Sequence, residues 1–215
     1  METIRGKTPL EISAAEFTGR IAGYRNIKID IGTGDGRYVR CLAQQNPDEF
    51  FIGIDACREN LKENSQVRLH NALYVIASAQ SLPHELTGLA NEITINFPWG
   101  SLLESLLTGD PALLNSLAAI CKSAAHVQIR LNGGALAEAG WSLEEGTQQV
   151  YQMLSTAGFR VGRPTLMNAN NLRACPTTWA RRLAFGRDPR AFFLSAKWMD
   201  RMAQPLVLWP AIASA

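Results

Sequence analysis

The run Asp30-Ile31-Gly32-Thr33-Gly34-Asp35-Gly36 sets three glycines at alternate positions among two carboxylates and a hydroxyl. Glycines in such a turn let a bound molecule come close to the main chain, because no Cβ stands in the way. A dinucleotide-binding turn puts its third glycine at i+5, so that a pyrophosphate rests on the N-terminus of the following helix. Here the third glycine falls at i+4, and Asp30 and Asp35 would confront that anion. The chemistry indicated is capture of a ligand that carries positive charge.

A further carboxylate, Asp55, ends the run Phe51-Ile52-Gly53-Ile54-Asp55, at the spacing where a Rossmann-type fold holds ribose hydroxyls. S-adenosylmethionine has an ammonium, a sulfonium and a ribose but no phosphate, and it suits this set. Asp30 would face its methionine part, Gly32, Thr33, Gly34 and Gly36 would form the turn, and Asp55 would sit at the sugar. Farther on, Ile76-Ala77-Ser78-Ala79-Gln80-Ser81-Leu82 offers small side chains and an amide. Ala79 and Gln80 are the candidates to line an adenine ring and hydrogen-bond to it. Glycines also serve plain tight turns, and Ser78 and Ser81 also read as ordinary loop residues; the turn together with the acidic second strand favours cofactor binding.

These groups must be carried by a sheet. Short apolar runs alternate with helical stretches along the chain, the pattern of strands joined by crossover helices in a mostly parallel sheet. Strands are predicted at 27–31, 50–55, 73–76, 92–97, 125–131, 159–162 and 191–197, and helices at 38–45, 58–65, 102–107, 111–123 and 143–157. Ahead of them, Thr3 to Ile12 reads as a hairpin about Gly6-Lys7, and Ser13-Ala14-Ala15-Glu16 has the capping-box pattern that opens a helix. The stretch from Pro164 to Pro176, with Asn168, Asn170 and Asn171, has no clear periodicity, and Asn132 to Ser142 reads as a short glycine-rich loop. The expected fold is α/β, a seven-stranded, mostly parallel sheet with an N-terminal β-hairpin extension. One domain is expected over 1–215: a hairpin and helix (1–25), a cofactor half (26–131) and a substrate half (132–215).

With 215 residues and 47% hydrophobic content, the chain can bury one sizeable core. The N-terminus lacks a charged start leading into an apolar run, and no stretch approaches the roughly 20 apolar residues of a spanning helix; a cytoplasmic protein with no membrane role is expected. Cys41, Cys57, Cys121 and Cys175 form no Cys-x-x-Cys pair, so no metal site is expected, and the four read as reduced thiols. His70, His84 and His126 show no ligand spacing and receive no function. The net charge of +2 conceals an asymmetry: residues 1–150 hold 12 Lys+Arg against 17 Asp+Glu, and residues 151–215 hold 9 against 2. A basic late segment on an acidic body suits a polyanion such as RNA, and equally a solvated basic face.

Two tryptophan-bearing segments are more specific than the glycine turn. Asn96-Phe97-Pro98-Trp99-Gly100-Ser101-Leu102-Leu103 closes the fourth strand, and Trp179-Ala180-Arg181-Arg182-Leu183-Ala184-Phe185-Gly186-Arg187 lies before the last. Together with Asp30 to Gly36, in this order along nearly the whole chain, they resemble the kanamycin–apramycin resistance family of 16S rRNA (adenine-N1)-methyltransferases. The resemblance implies a Rossmann-like class I methyltransferase fold, S-adenosylmethionine as methyl donor, assembled 30S subunits as substrate, adenine 1408 of the decoding site as target, and aminoglycoside resistance as outcome. It places Asp30, Gly32, Asp55, Ala79 and Asn96 at cofactor positions, and Phe97, Trp99 and Trp179 where the target base is held. Thr177 matches a hydroxyl-bearing position that supports the flipped nucleotide, and Arg182, Arg187 and Arg190 are the candidates for phosphate contacts. Such a base must leave its stack, and two indole faces, Trp99 and Trp179, would sandwich it. Phe185, Phe192 and Phe193 are expected to pack against the final strand. A monomer is expected.

Three other readings share parts of this pattern. A methyltransferase for tRNA or a small molecule would have the same cofactor half. An RNA-binding module with a degenerate cofactor fold would keep the basic segment. A nicotinamide dehydrogenase is disfavoured by the glycine spacing.

Overall fold

In a computed structural model of the chain, residues 1–186 and 189–199 are described. The chain opens with the expected hairpin, β1 (Glu2–Arg5) and β2 (Thr8–Glu11), and continues into α1 (Ala14–Ile21), where Ser13 Oγ accepts from Glu16 N at 3.2 Å. Glu16 itself pairs forward with Arg20 at 2.7 Å. Then come β3 (Ile27–Ile31), α2 (Arg37–Gln45), β4 (Phe50–Asp55), the single turn α3 (Arg58–Leu61) and β5 (Ala72–Ile76). The helix expected over 58–65 is therefore cut short, and its second half is a 3-10 turn at Asn64–Gln66. Asn64 is drawn inward, its amide donating to Asp35 O, and that tertiary bond competes with helix continuation.

The middle of the chain supplies β6 (Ala90–Asn96), α4 (Gly100–Thr108), α5 (Pro111–Ile120) and β7 (Cys121–Asn132). Asp110 caps α5 through Ala112 N at 2.9 Å with Pro111 in the first turn. The helix stops at Ile120, three residues short of the expected end, because Cys121 already pairs with Ala90 of β6. Asn132 to Ser142, read as a loop, folds into α6 (Gly133–Glu138), and α7 (Leu143–Thr156) follows with Ser142 as its cap.

The last quarter holds β8 (Phe159–Val161), β9 (Thr165–Met167), α8 (Ala169–Ala174), α9 (Thr178–Ala184) and β10 (Ala191–Trp198). The segment without periodicity is thus structured. Asn168 Oδ1 accepts from Asn171 N at 2.9 Å while Asn171 Oδ1 accepts from Asn168 N at 3.0 Å, a reciprocal capping box that starts α8.

All ten strands form one sheet, in the order β2-β1-β5-β4-β3-β6-β7-β10-β8, with β9 also on β10. β5, β4, β3, β6 and β7 run parallel, and β10 is antiparallel to both its neighbours. This is the expected seven-stranded class I arrangement, with the hairpin annexed to its β5 edge and one short strand added. Helices cover the sheet, and the central strands read as unbroken apolar runs, since Phe50, Phe51, Ile52 and Ile54 of β4 are all buried.

Two features position the site. The chain leaves β3 for β4 on one side and reaches β6 on the other, which opens a crevice beyond the C-terminal ends of these strands. The segment from β9 to α9 then folds over that same end, because Ala191, where β10 begins, pairs with Asn132, where β7 ends. A small second core of Tyr38, Phe97, Met167, Leu172, Cys175, Ala180 and Ala191 fixes it there.

Candidate active site

A cleft of about 590 Å³ lies in the crevice, within the usual range of a small-molecule site. Its inner end is built on β3. Asp30 is buried, and its Oδ1 accepts from Thr94 Oγ1 at 2.6 Å and Asn96 Nδ2 at 2.8 Å, both on the adjacent β6. Asn96 Oδ1 in turn accepts from Arg130 Nη1 of β7 at 2.7 Å. Burial pushes the Asp30 carboxyl up to about 6, against the opposing pull of Thr33, Thr94, Asn96 and, more remotely, Arg130. Thr33 Oγ1 lies near enough to favour the charge without completing a hydrogen bond, and is left unpaired in the protein interior. A carboxylate that is costly to ionise, beside an orphan hydroxyl, fits a cationic and hydrogen-bonding ligand such as the amino acid end of S-adenosylmethionine.

The glycine turn divides into parts with different duties. Gly32, Gly34 and Gly36 all have positive φ, at 66°, 59° and 74°. A Cβ on Gly36 would lie 2.5 Å from the Tyr74 ring, so this glycine stands behind the turn and serves packing, outside the cleft lining. At Gly34 a Cβ would meet nothing within 4 Å, and there the main chain faces open cleft. Gly34 N donates to Asp55 Oδ2 at 2.8 Å, while Asp55 Oδ1 accepts from Cys57 N and Asn60 Nδ2. Asp55 therefore ties the turn to β4 and keeps lone pairs for a ligand hydroxyl.

Ala79 and Gln80 line the cleft, but the Gln80 side chain is engaged at both ends by protein. Its Nε2 donates to Ser105 Oγ at 2.8 Å and its Oε1 accepts from Ser78 Oγ. Any contact that it makes with a purine edge thus falls to its main chain or requires the amide to turn.

The outer end carries the aromatic groups. Trp99, just before α4, and Trp179, on α9, are 43% and 41% exposed, and their rings stack with centroids 5.4 Å apart and planes at 16°. The expected pair is brought together, but the rings rest on each other with no room for a base between them. A sandwiched base needs two stacking distances, about 7 Å, so the indoles must part to admit one. The Arg182 guanidinium lies over the Trp179 ring at 5.3 Å. Thr177 lines the cleft and spends its oxygen on Ala180 N at 2.8 Å as the cap of α9.

Phe97 lines the cleft yet is 3% exposed, with φ +53, a strained conformation that turns the chain sharply at the end of β6. It anchors the second core. Arg190 lies at the start of β10, where its carbonyl accepts from Gly133 N, away from the cleft lining. Arg187 lies outside the described residues. Phe185 is 80% exposed at the end of α9 and does not pack against the final strand as expected; α9 ends before the chain returns to the sheet. Sequence reasoning missed Thr94, Arg130 and Thr178, which reach the site only through pairing between distant segments, and Tyr38, which lines the cleft from the first turn of α2, just after Gly36. All four cysteines are free, and among the described residues no cluster of metal-ligating side chains occurs and no helix is long and apolar enough to cross a membrane.

The sequence matches the family described as "NpmA: 16S rRNA (adenine(1408)-N(1))-methyltransferase" over residues 2–198. It is 35% identical to a 16S rRNA (adenine(1408)-N(1))-methyltransferase of Escherichia coli, covering 90% of this chain and 96% of the relative. A protein of the same description from Streptoalloteichus hindustanus is 33% identical over 87% of this chain and 94% of its own. The crystal structure of the 16S rRNA methyltransferase KamB superposes with a TM-score of 0.83 at 28% identity, covering 93% of this chain and all of that one. With the cleft built as above and the match running almost end to end, this chain belongs to the family of 16S rRNA (adenine(1408)-N(1))-methyltransferases.

Proposed function

We propose that the protein methylates N1 of adenine 1408 in 16S rRNA, on the assembled 30S subunit, with S-adenosylmethionine as donor, and that the modification protects the ribosome from aminoglycosides. The observation that carries this reading is one continuous cleft, with a buried acidic end at Asp30 and an exposed pair of indoles at Trp99 and Trp179. When bound, S-adenosylmethionine supplies an electrophilic methyl group. Asp30 holds a cationic group at the inner end, Asp55 accepts from hydroxyls, and Gly34 allows close approach of the main chain.

N1 of neutral adenine carries a lone pair and no proton, so the chain's task is alignment and no general base is needed. No histidine lines the cleft, in keeping with that. A target base must leave its stack at a cost of a few kcal/mol. Trp99 and Trp179 offset this by exchanging one indole–indole contact for indole–base contacts worth roughly 1–3 kcal/mol per base. Arg182, beside Trp179, meets the backbone as a positioning contact, with Arg187 and Arg190 along the same segment. The enzyme acts as a monomer in the cytoplasm and uses no metal.

The test is incubation with 30S subunits and labelled donor, followed by primer extension on 16S rRNA. A stop at adenine 1408 is expected. Label at another position, or label on tRNA with none on 30S, refutes the proposal.

A further inference from the structure

The turn that holds the cofactor end of the cleft and the helix that carries Trp179 are 143 residues apart in sequence, yet one hydrogen bond joins them directly. Thr178 Oγ1 donates to Asp35 Oδ2 at 2.6 Å, a short, charge-assisted contact. Thr178 is the first residue of α9 and the immediate neighbour of Trp179. Asp35 lies between Gly34 and Gly36, and its other carboxylate oxygen accepts from Arg37 N at 3.1 Å, at the start of α2. Its carbonyl accepts from the Asn64 amide. These contacts tie Asp35 to α2 and to Asn64, while the glycines on either side of it, Gly34 and Gly36, have left-handed backbone and leave the turn a freedom that a ligand in the cleft would remove.

Two neighbouring groups explain why this bond acts on the indole pair. Thr177 fixes the start of α9 by capping Ala180 N, and Ala180 is buried in the second core, so the helix cannot slide freely. Trp179 thus stands between two fixed neighbours, Thr178 on the turn and Ala180 in the second core, and ordering of the turn presets its ring as a stacking face. The Asp35 carboxylate supplies the first of these two attachments.

We propose that Asp35 and Thr178 are positioning residues that couple the two halves of the cleft: occupancy of the cofactor end sets the turn, the turn sets Thr178, and Thr178 sets Trp179. Cofactor and RNA then bind cooperatively, each favouring the other by the same factor. This rests on the reading of the protein as a 30S methyltransferase. One charged hydrogen bond, present in one arrangement and lost in the other, gives a coupling of about tenfold.

The experiment measures the affinity of the protein for 30S subunits with and without saturating S-adenosylhomocysteine, which cannot transfer a methyl group. In the unaltered protein the ligand is expected to tighten 30S binding about tenfold. Thr178→Val, which keeps the shape and removes the donor, is expected to reduce that ratio to below about threefold, and Thr178→Ser to restore it. A helix merely destabilised by the substitution would weaken 30S binding equally in both conditions and leave the ratio unchanged. An unchanged ratio in Thr178→Val, or a ratio near one in the unaltered protein that still methylates adenine 1408, overturns the coupling alone. A protein that neither binds nor methylates 30S overturns the functional reading together with it.

Discussion

Asp30→Asn separates what the site needs from what the fold needs. The carboxyl is raised from its ordinary 3.8 to about 6 because burial disfavours its charge. A raised carboxyl means that the folded protein holds a proton more tightly than the unfolded chain. Stability from this group is therefore fully present below pH 3.8 and is lost as the pH rises through about 6. At about 1.4 kcal/mol per pH unit, the ionised form costs about 3 kcal/mol at pH 8. Asparagine removes the charge and keeps an Oδ1 that accepts from both Thr94 and Asn96, with an amide in place of Oδ2. Urea denaturation at pH 8 is expected to show the variant more stable by about 2–3 kcal/mol. The difference should shrink through pH 6 and vanish near pH 4. Calorimetry with S-adenosylhomocysteine at pH 8 is expected to show affinity reduced at least about tenfold, since an ammonium loses its buried counter-charge. Binding to the unaltered protein should itself weaken as the pH falls below about 6. A variant less stable at pH 8 with undiminished ligand affinity would refute the assignment of Asp30 as a strained binding carboxylate.

Trp99→Ala and Trp179→Ala should each lower methylation of 30S by roughly five- to hundredfold, the equivalent of about 1–3 kcal/mol of base stacking, while S-adenosylhomocysteine affinity stays within about twofold; a loss of ligand binding as large as the loss of turnover would count against the base-holding role. Arg182→Ala should weaken 30S binding and flatten its dependence on salt by about one in the log–log slope, and an unchanged slope would exclude a phosphate contact. Gly36→Ala combines a left-handed backbone with a Cβ 2.5 Å from the buried Tyr74 ring, so thermal unfolding should show a loss of about 2–5 kcal/mol. Gly34→Ala meets no atom within 4 Å and should lose only about 1–2 kcal/mol while impairing ligand binding more. Equal stability losses at the two glycines would contradict the division of duties in the turn.

The parts of this molecule legible in sequence are those set by local rules. Strand periodicity located all seven core strands, and the turn from Asp30 to Gly36 could be read because its residues are contiguous. The failures share a cause in tertiary pairing. Cys121 belongs to β7 because Ala90 offers it a partner, and Asn64 interrupts a helix because Asp35 offers its carbonyl. The same holds for the site: Thr94 and Arg130 surround Asp30 only once β3, β6 and β7 are aligned, and nothing at Thr178 announces a bond to a residue 143 positions earlier. One miss was avoidable, since Asn168 and Asn171 stand at capping-box spacing and mark the start of α8.

The distribution of charge and order over the cleft bears on how one fold takes on a ribosomal substrate. The cofactor end is made by strands in a continuous sheet, with side chains locked across three of them from Asp30 to Asn96 to Arg130. The substrate end is made by a segment that joins the sheet through β9 at three residue pairs and is otherwise held by the Thr178–Asp35 hydrogen bond and a core of seven buried side chains. Local stability follows the density of such contacts, so this segment is the part of the site that can move without unfolding the rest. Trp179, which must part from Trp99 to admit a base, lies on that segment, so the opening motion leaves the strand-borne set of Asp30, Asn96 and Arg130 in place and reaches the cofactor end only through Thr178 and Asp35. From Thr165 to Ala184 that segment carries Arg173, Arg181 and Arg182 and no Asp or Glu. On the proposed reading, contact with phosphates falls on the element that has to be repositioned, and binding of folded RNA supplies the free energy that separates Trp99 from Trp179.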